Sequence, residues 1–154
     1  MDCTFRIVLL SKLGKSAFWI LSRTGLAVYS RLPIFGALRV AVGVVRDQNR
    51  FLAIERNDGR GLSFPGGIAM PWEKIDKAAA REFLEETGLR VTKSTLKLNY
   101  VSSLEVPVNL YAFEVEAKGE LRASWEGTPR WVGLDELRQR ILRSQRRVVE
   151  ELCS

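Results

Sequence analysis

Glu82, Glu85 and Glu86 stand at positions i, i+3 and i+4 of Lys74 to Thr87, a stretch that reads as a helix ended by Gly88 in a left-handed conformation. At about 100° per residue their carboxylates fall on one narrow face, while Ala79, Ala80, Phe83 and Leu84 form an apolar stripe on the opposite and adjoining side. The stripe calls for a sheet to pack on, with the acidic face turned outward toward the preceding loop. The carboxylates call for something that offsets their repulsion. Water on an exposed face would serve, and so would a divalent cation, for which three clustered carboxylates make a suitable oxygen site.

The flanking sequence supplies the sheet. Leu38 to Arg46 and Phe51 to Arg56 are apolar, alternating runs joined by the polar turn Asp47 to Arg50, and they read as a hairpin. A loop rich in Gly and Asp follows and ends in Ser-Phe-Pro-Gly-Gly at Ser63 to Gly67. Beyond the helix, Leu96 to Leu104 and Val106 to Ala117 are strand-like, with Pro107 suggesting that the second begins at a sheet edge. Arg130 to Val132 reads as a short strand, and Leu134 to Leu152 as a C-terminal helix with an irregularity near Ser144. Strands on both sides of a central helix indicate an α/β layered domain, and 154 residues suit a single core of that kind.

Composition narrows the chemistry. The chain has no histidine, which excludes an imidazole base, a Ser-His triad and His-ligated zinc. Its two cysteines, Cys3 and Cys153, lie at opposite ends and form neither a disulfide framework nor a C-x-x-C site. Oxygen ligands remain, and these favour Mg²⁺ or Mn²⁺. The net charge of +6 sits at the two ends, because residues 37 to 129 hold thirteen basic and thirteen acidic groups. Duplex nucleic acid is therefore not the expected partner, although local arginines can still bind an anionic small molecule.

Residues 1 to 36 differ from the rest. They are rich in Leu, Ile, Phe and Trp, and Arg6, Lys12, Lys15 and Arg23 interrupt every window long enough to span a bilayer. The run Ile7 to Leu10 is too short for a signal-peptide core. We read an amphipathic helical extension, roughly Phe5 to Leu32, stopped by Pro33, followed by a catalytic domain over residues 37 to 154. The extension would pack on the core, pair with a second subunit, or rest on anionic lipid as a peripheral contact of a cytoplasmic protein.

The helix and the loop before it share one pattern: Gly67, five residues, Glu73, seven residues, then Arg81-Glu82-Phe83-Leu84-Glu85-Glu86-Thr87-Gly88-Leu89. This resembles the Nudix box of the Nudix hydrolases at every specified position, and chance agreement at the fixed letters is on the order of 10⁻⁸ per starting point. The similarity extends over about residues 38 to 140 and looks like the MutT-like branch, which implies an α/β/α sandwich with a mixed sheet. Carried over position by position, it implies that Glu82, Glu85 and Glu86 ligate Mg²⁺ with the carbonyl of Gly67, and that Glu73 and Arg81 are a structural pair. Glu126, in the segment Glu126 to Pro129 before Trp131, would bring a further acid to the metal, and Arg56 would contact phosphate. Either Glu82 or Glu126 would serve as the base.

The expected reaction is attack of a metal-activated water on phosphorus in a nucleoside diphosphate-linked substrate. A (d)NTP-type nucleotide leads, ahead of ADP-ribose or another nucleotide sugar. A lipid-linked diphosphate is kept for the N-terminal segment, and an RNA-binding module for the arginines Arg138, Arg140, Arg143, Arg146 and Arg147. Phe64, Trp72, Tyr111, Trp125 and Trp131 are candidates for base stacking, with Phe64 read as a substrate-binding residue, although core packing is the commoner role for any one of them.

Overall fold

The computed structural model describes residues 37–104 and 107–153, so the expectations for residues 1 to 36 lie outside the described part. Eight strands are present: β1 Leu38–Val44, β2 Arg46–Asp47, β3 Arg50–Arg56, β4 Leu62–Ser63, β5 Gly66–Ile68, β6 Arg90–Ser102, β7 Val108–Lys118 and β8 Gly127–Gly133. Three helices join them: α1 Ile75–Thr87, α2 Leu134–Arg140 and α3 Arg146–Leu152, with a 3₁₀ turn at Arg143–Gln145. One sheet is mixed, in the order β5-β1-β7-β6, with β1 parallel to β7 and the other pairs antiparallel. In the second sheet β3 pairs with β8 along one edge and with β2 and β4 along the other, all antiparallel.

Alternation along β1 explains the layers. Val42 and Val44 point to a cluster with Phe51, Phe64, Leu110, Leu137, Val148 and Val149, which holds α2 and α3. Ala41 points the other way, to a cluster with Ala78, Ala79, Phe83 and Phe113, which holds α1. The mixed sheet is thus covered by helices on both sides, as expected. Gly43 makes the seat for α1, since a Cβ there would stand 2.7 Å from the ring of Phe83. Gly88, at φ 76°, ends the helix and donates its N–H to the carbonyl of Leu84.

Several elements differ from the sequence reading. The hairpin is confined to β2 and the start of β3, because β1 pairs with β5 and β7 in the other sheet. The loop before α1 holds two short strands, β4 and β5, too brief for a periodic signal. β6 begins at Arg90, not Leu96, because its first residues are polar and exposed and backbone pairing with β7 alone defines them. β7 lies inside the sheet between β1 and β6. Pro107 precedes its first residue, costs no ladder bond, and accepts a hydrogen bond from Leu38 at its carbonyl. The C-terminal helix is two helices, split at Ile141, where the chain turns to bridge Leu62. On α1 the buried residues are Ala78, Ala79, Phe83, Glu86 and Thr87, while Leu84 is exposed.

Phe83 is fully buried and is the largest contact between α1 and the sheet. Phe83→Ala is expected to cost about 3–5 kcal/mol, and Phe83→Leu much less, as urea denaturation followed by circular dichroism would show.

Candidate active site

The site forms where α1 crosses β5 and where the end of β3 meets the start of β8. Its centre is Glu86, which is not on an outward face as expected but only 3% exposed. Its carboxylate accepts a hydrogen bond of 2.8 Å from the backbone N–H of Gly66. Gly66 has φ 150° and lies so close to β1 that a Cβ would meet the carbonyl oxygen of Ala41, so this backbone approach requires glycine. Burial pushes the carboxyl of Glu86 well above its usual range, and the neighbouring carboxylates of Glu126 and Glu82 push it the same way.

Glu126 reaches this point because its segment is tied to the end of β3. Arg56 pairs with Gly127 across the sheet, the N–H of Asn57 donates to the carbonyl of Glu126, and the Asn57 amide donates to the carbonyl of Trp125. The sequence brings Glu126 near Glu86 only through this pairing, which spans about seventy residues.

The other two box glutamates are held by Arg81. Its Nη1 lies 2.7 Å from Glu82 and 3.6 Å from Glu85. Its Nε and Nη2 donate to Glu73 at 3.0 and 2.9 Å, and Nη2 also reaches the carbonyl of Ile68. The hydrogen bonds from Arg81 keep the carboxyl of Glu73 below its usual range. Burial raises that of Glu82 in spite of Arg81. Gly67 stands against Glu82, where a Cβ would come within 2.6 Å of the carboxylate. Glu85 projects outward, with 60% of its side chain exposed.

Repulsion along α1 is therefore relieved in a way that the sequence reading did not name: a guanidinium is shared by Glu73, Glu82 and Glu85, while Glu86 turns inward to the N–H of Gly66. Among the described residues no three acidic groups converge as a ready-made metal cage, because Arg81 draws two of them aside. The donor set nonetheless suits a hard cation. Glu82, Glu86 and Glu126 feel one another's charge, the backbone of Gly67 lies beside Glu82, and burial disfavours the charged form of Glu86, a deficit that a cation would offset.

Arg56 adjoins the same acids, feeling the charges of Glu126 and Glu86. Burial works against its charge, but its hydrogen bonds to Asp58 prevail and its pKa is raised. Nε and Nη2 contact the Asp58 carboxylate at 2.6 to 3.1 Å. Asp58 was not among the expected residues; the turn sequence Asn57-Asp58-Gly59 next to Arg56 was the available signal.

Of the aromatic candidates, Phe64 is 1% exposed within the core, so it presents no face to a base and is a packing residue. Tyr111 and Trp131 are half-buried against the α1 cluster. Trp72 and Trp125 are exposed, at 83% and 50%. Gln145 was also unforeseen: its buried side-chain oxygen accepts the N–H of Phe64 and anchors the strand that leads to Gly66.

A family model described as the NUDIX domain matches residues 37–152. The chain is 34% identical over 110 residues to a MutT-like protein of Streptomyces ambofaciens, covering 71% of each chain. It is 33% identical over 110 residues to a Bacillus subtilis (strain 168) protein named as a candidate 8-oxo-dGTP diphosphatase, covering 67% of this chain and 66% of that one. The fold matches the crystal structure of a MutT Nudix hydrolase from Burkholderia pseudomallei with TM-score 0.66 and 21% identity, over 75% of this chain and 98% of that one. Among the described residues no helix is long and apolar enough to cross a membrane.

Glu86→Gln keeps an acceptor for Gly66 and removes the buried acid, so in chelator its melting temperature is expected to equal or exceed that of the parent. Glu86→Leu strands the Gly66 N–H and is expected to melt lower, by the roughly 1–3 kcal/mol of an unsatisfied buried donor. Differential scanning calorimetry of the two variants checks both.

Proposed function

The chain belongs to the Nudix hydrolase family, and from that premise we propose that it is a magnesium-dependent pyrophosphohydrolase of nucleoside triphosphates of the (d)NTP type. The carrying observation is the buried Glu86 carboxyl beside Glu126 and Glu82, with Arg56 at the same place: an acidic centre next to a cation suited to a phosphate chain. Nudix hydrolases generally use divalent metal ions, and magnesium is the ion we assign, with manganese as its substitute. The Bacillus relative named for 8-oxo-dGTP supports a nucleotide as the substrate. Such a substrate implies a cytoplasmic enzyme whose partner is that small molecule.

In this reading Glu82, Glu85, Glu86, Glu126 and the carbonyl of Gly67 would hold the ion. When bound, it neutralises phosphate charge and acidifies water. The chain's own residues do the rest. Arg56, fixed by Asp58, binds and orients a phosphate oxygen. Glu82 or Glu126 accepts the proton of the attacking water, and burial raises the proton affinity of Glu82. Arg81 and Glu73 hold the loop of Gly67 against the helix. No covalent nucleophile takes part.

Phosphate or pyrophosphate release from a nucleotide panel with Mg²⁺ tests the reading. Glu85→Gln and Glu86→Gln are each expected to lower kcat/KM by at least about a hundredfold, since loss of a metal ligand costs no less than loss of a group that orients one, while circular dichroism stays native. Near-parental turnover in either variant would remove the assignment. Gly67→Ala pushes on the Glu82 carboxylate and is expected to reduce kcat without lowering the melting temperature by more than a few degrees.

A further inference from the structure

A second concentration of arginine adjoins this centre and is not used by it. The loop Gly59 to Gly61 and the segment Gln139 to Arg146 enclose a cleft of about 420 Å³ lined by Arg60, Arg140, Arg143 and Arg146. Its walls are tied together by backbone. Gly61 packs on the carbonyl of Arg140 so closely that a Cβ would come within 2.3 Å of it. The N–H of Leu142 donates to Leu62, and Leu62 bridges Ile141. The cleft is therefore preorganised, which lowers the entropic cost of filling it.

The charges around it do not cancel. Asp58 is shared, since the carboxylate that holds Arg56 also lies 2.9 Å from Nε of Arg60 and accepts its backbone N–H. Arg140 is engaged by Glu55 and Glu136, the acids that also take Arg130. Arg143 and Arg146 are exposed and have no ion pair among the described residues. Two arginines thus balance two acids around Glu55, Arg56 and Arg60 both bond Asp58, and Arg143 and Arg146 add charge that no ion pair among the described residues offsets. The fork of a guanidinium suits phosphate better than a point cation does.

We propose that this cleft is a second phosphate-binding site, adjoining the hydrolytic centre through the relay Arg56–Asp58–Arg60. One carboxylate holds Arg56, which faces the catalytic acids, and Arg60, which lines the cleft, so a phosphate in the cleft lies one residue pair away from the chain being cleaved. The ligand is a phosphate group, borne either by the substrate beyond its hydrolysed end or by a free polyphosphate anion.

Titration calorimetry with inorganic tripolyphosphate in EDTA tests the site without any contribution from a metal-loaded centre, so its failure is distinct from failure of the hydrolase reading. The parent is expected to bind, Arg143→Ala/Arg146→Ala to bind at least tenfold more weakly, and Arg90→Ala/Arg138→Ala, which removes the same two charges outside the cleft, to bind within twofold of the parent. Absence of binding, or an equal loss in Arg90→Ala/Arg138→Ala, overturns the proposal. A second arm, which rests on the hydrolase reading, separates the two sources. If the phosphate is borne by the substrate, guanosine triphosphate carrying a 3′-phosphate shows a lower KM than guanosine triphosphate, and the double variant erases that preference. Equal KM values together with the calorimetric result assign the site to a free polyphosphate.

Discussion

Placing one carboxyl group inside the seam between α1 and the mixed sheet is the constraint from which the rest of the site follows. Glu86 occupies a position on the buried side of its helix, next to Phe83 and Thr87, where an apolar residue would ordinarily sit. Among the described residues its one backbone donor is Gly66, and that N–H can reach it because residue 66 has no side chain to collide with β1. The same close approach sets Gly67 against Glu82 and brings β5 alongside β1. Seating the helix this deeply in turn requires Gly43 beneath the ring of Phe83. Two cavities in side-chain space, at residues 43 and 66, are therefore what lets an acid replace a hydrophobe in the core.

Arg81 is the counterpart of that burial on the outer side of the helix. It touches three glutamates and one carbonyl, so no single contact defines it. Isolated exposed ion pairs contribute little, but a guanidinium whose fork is filled by Glu73 from the loop and Glu82 from the helix fixes two backbone segments relative to each other. A cation taking Glu82 and Glu85 would leave Glu73 as the principal partner of Arg81, and the loop would stay in place. Taking up a cation in this way would ask only for side-chain rotation at Glu82 and Glu85, since the ion pair between Glu73 and Arg81 would persist.

Much of this was legible in the sequence because it is local. The spacing of Gly67, Glu73, Arg81, Glu82, Glu85 and Glu86 lies within one loop and one helix, where periodicity fixes geometry. Gly88 as a helix terminator and the layered α/β class are legible for the same reason. What escaped depends on distant pairing or on depth. Whether Glu86 faces solvent or core is decided by a modest rotation of the buried face about the helix axis, which gives up Ala80 and Leu84 and takes in Ala78 and Thr87, and short alanine-rich helices scarcely register such a rotation. β4, β5 and the first half of β6 carry no alternation strong enough to read, since they are defined by partners elsewhere in the chain. Phe64 looks like a loop aromatic until Gln145, eighty-one residues away, is seen to bind its N–H and draw it into the core.

Asp58 shows how the two halves of the charge distribution are reconciled. A guanidinium placed near Glu86 and Glu126 but bonded to neither must be held by some other acceptor, or it would collapse onto the acids and occupy the space a metal and a phosphate need. Asp58 provides that acceptor through Nε and Nη2, which leaves Nη1 without a hydrogen bond among the described residues. Burial alone would raise the carboxyl of Asp58; its hydrogen bonds with Arg56 and Arg60 reverse this and hold it far below the usual range, so it stays ionised wherever the fold persists. An acid held by two arginines in this way is the kind of group that can keep one of them beside an acidic centre without joining it.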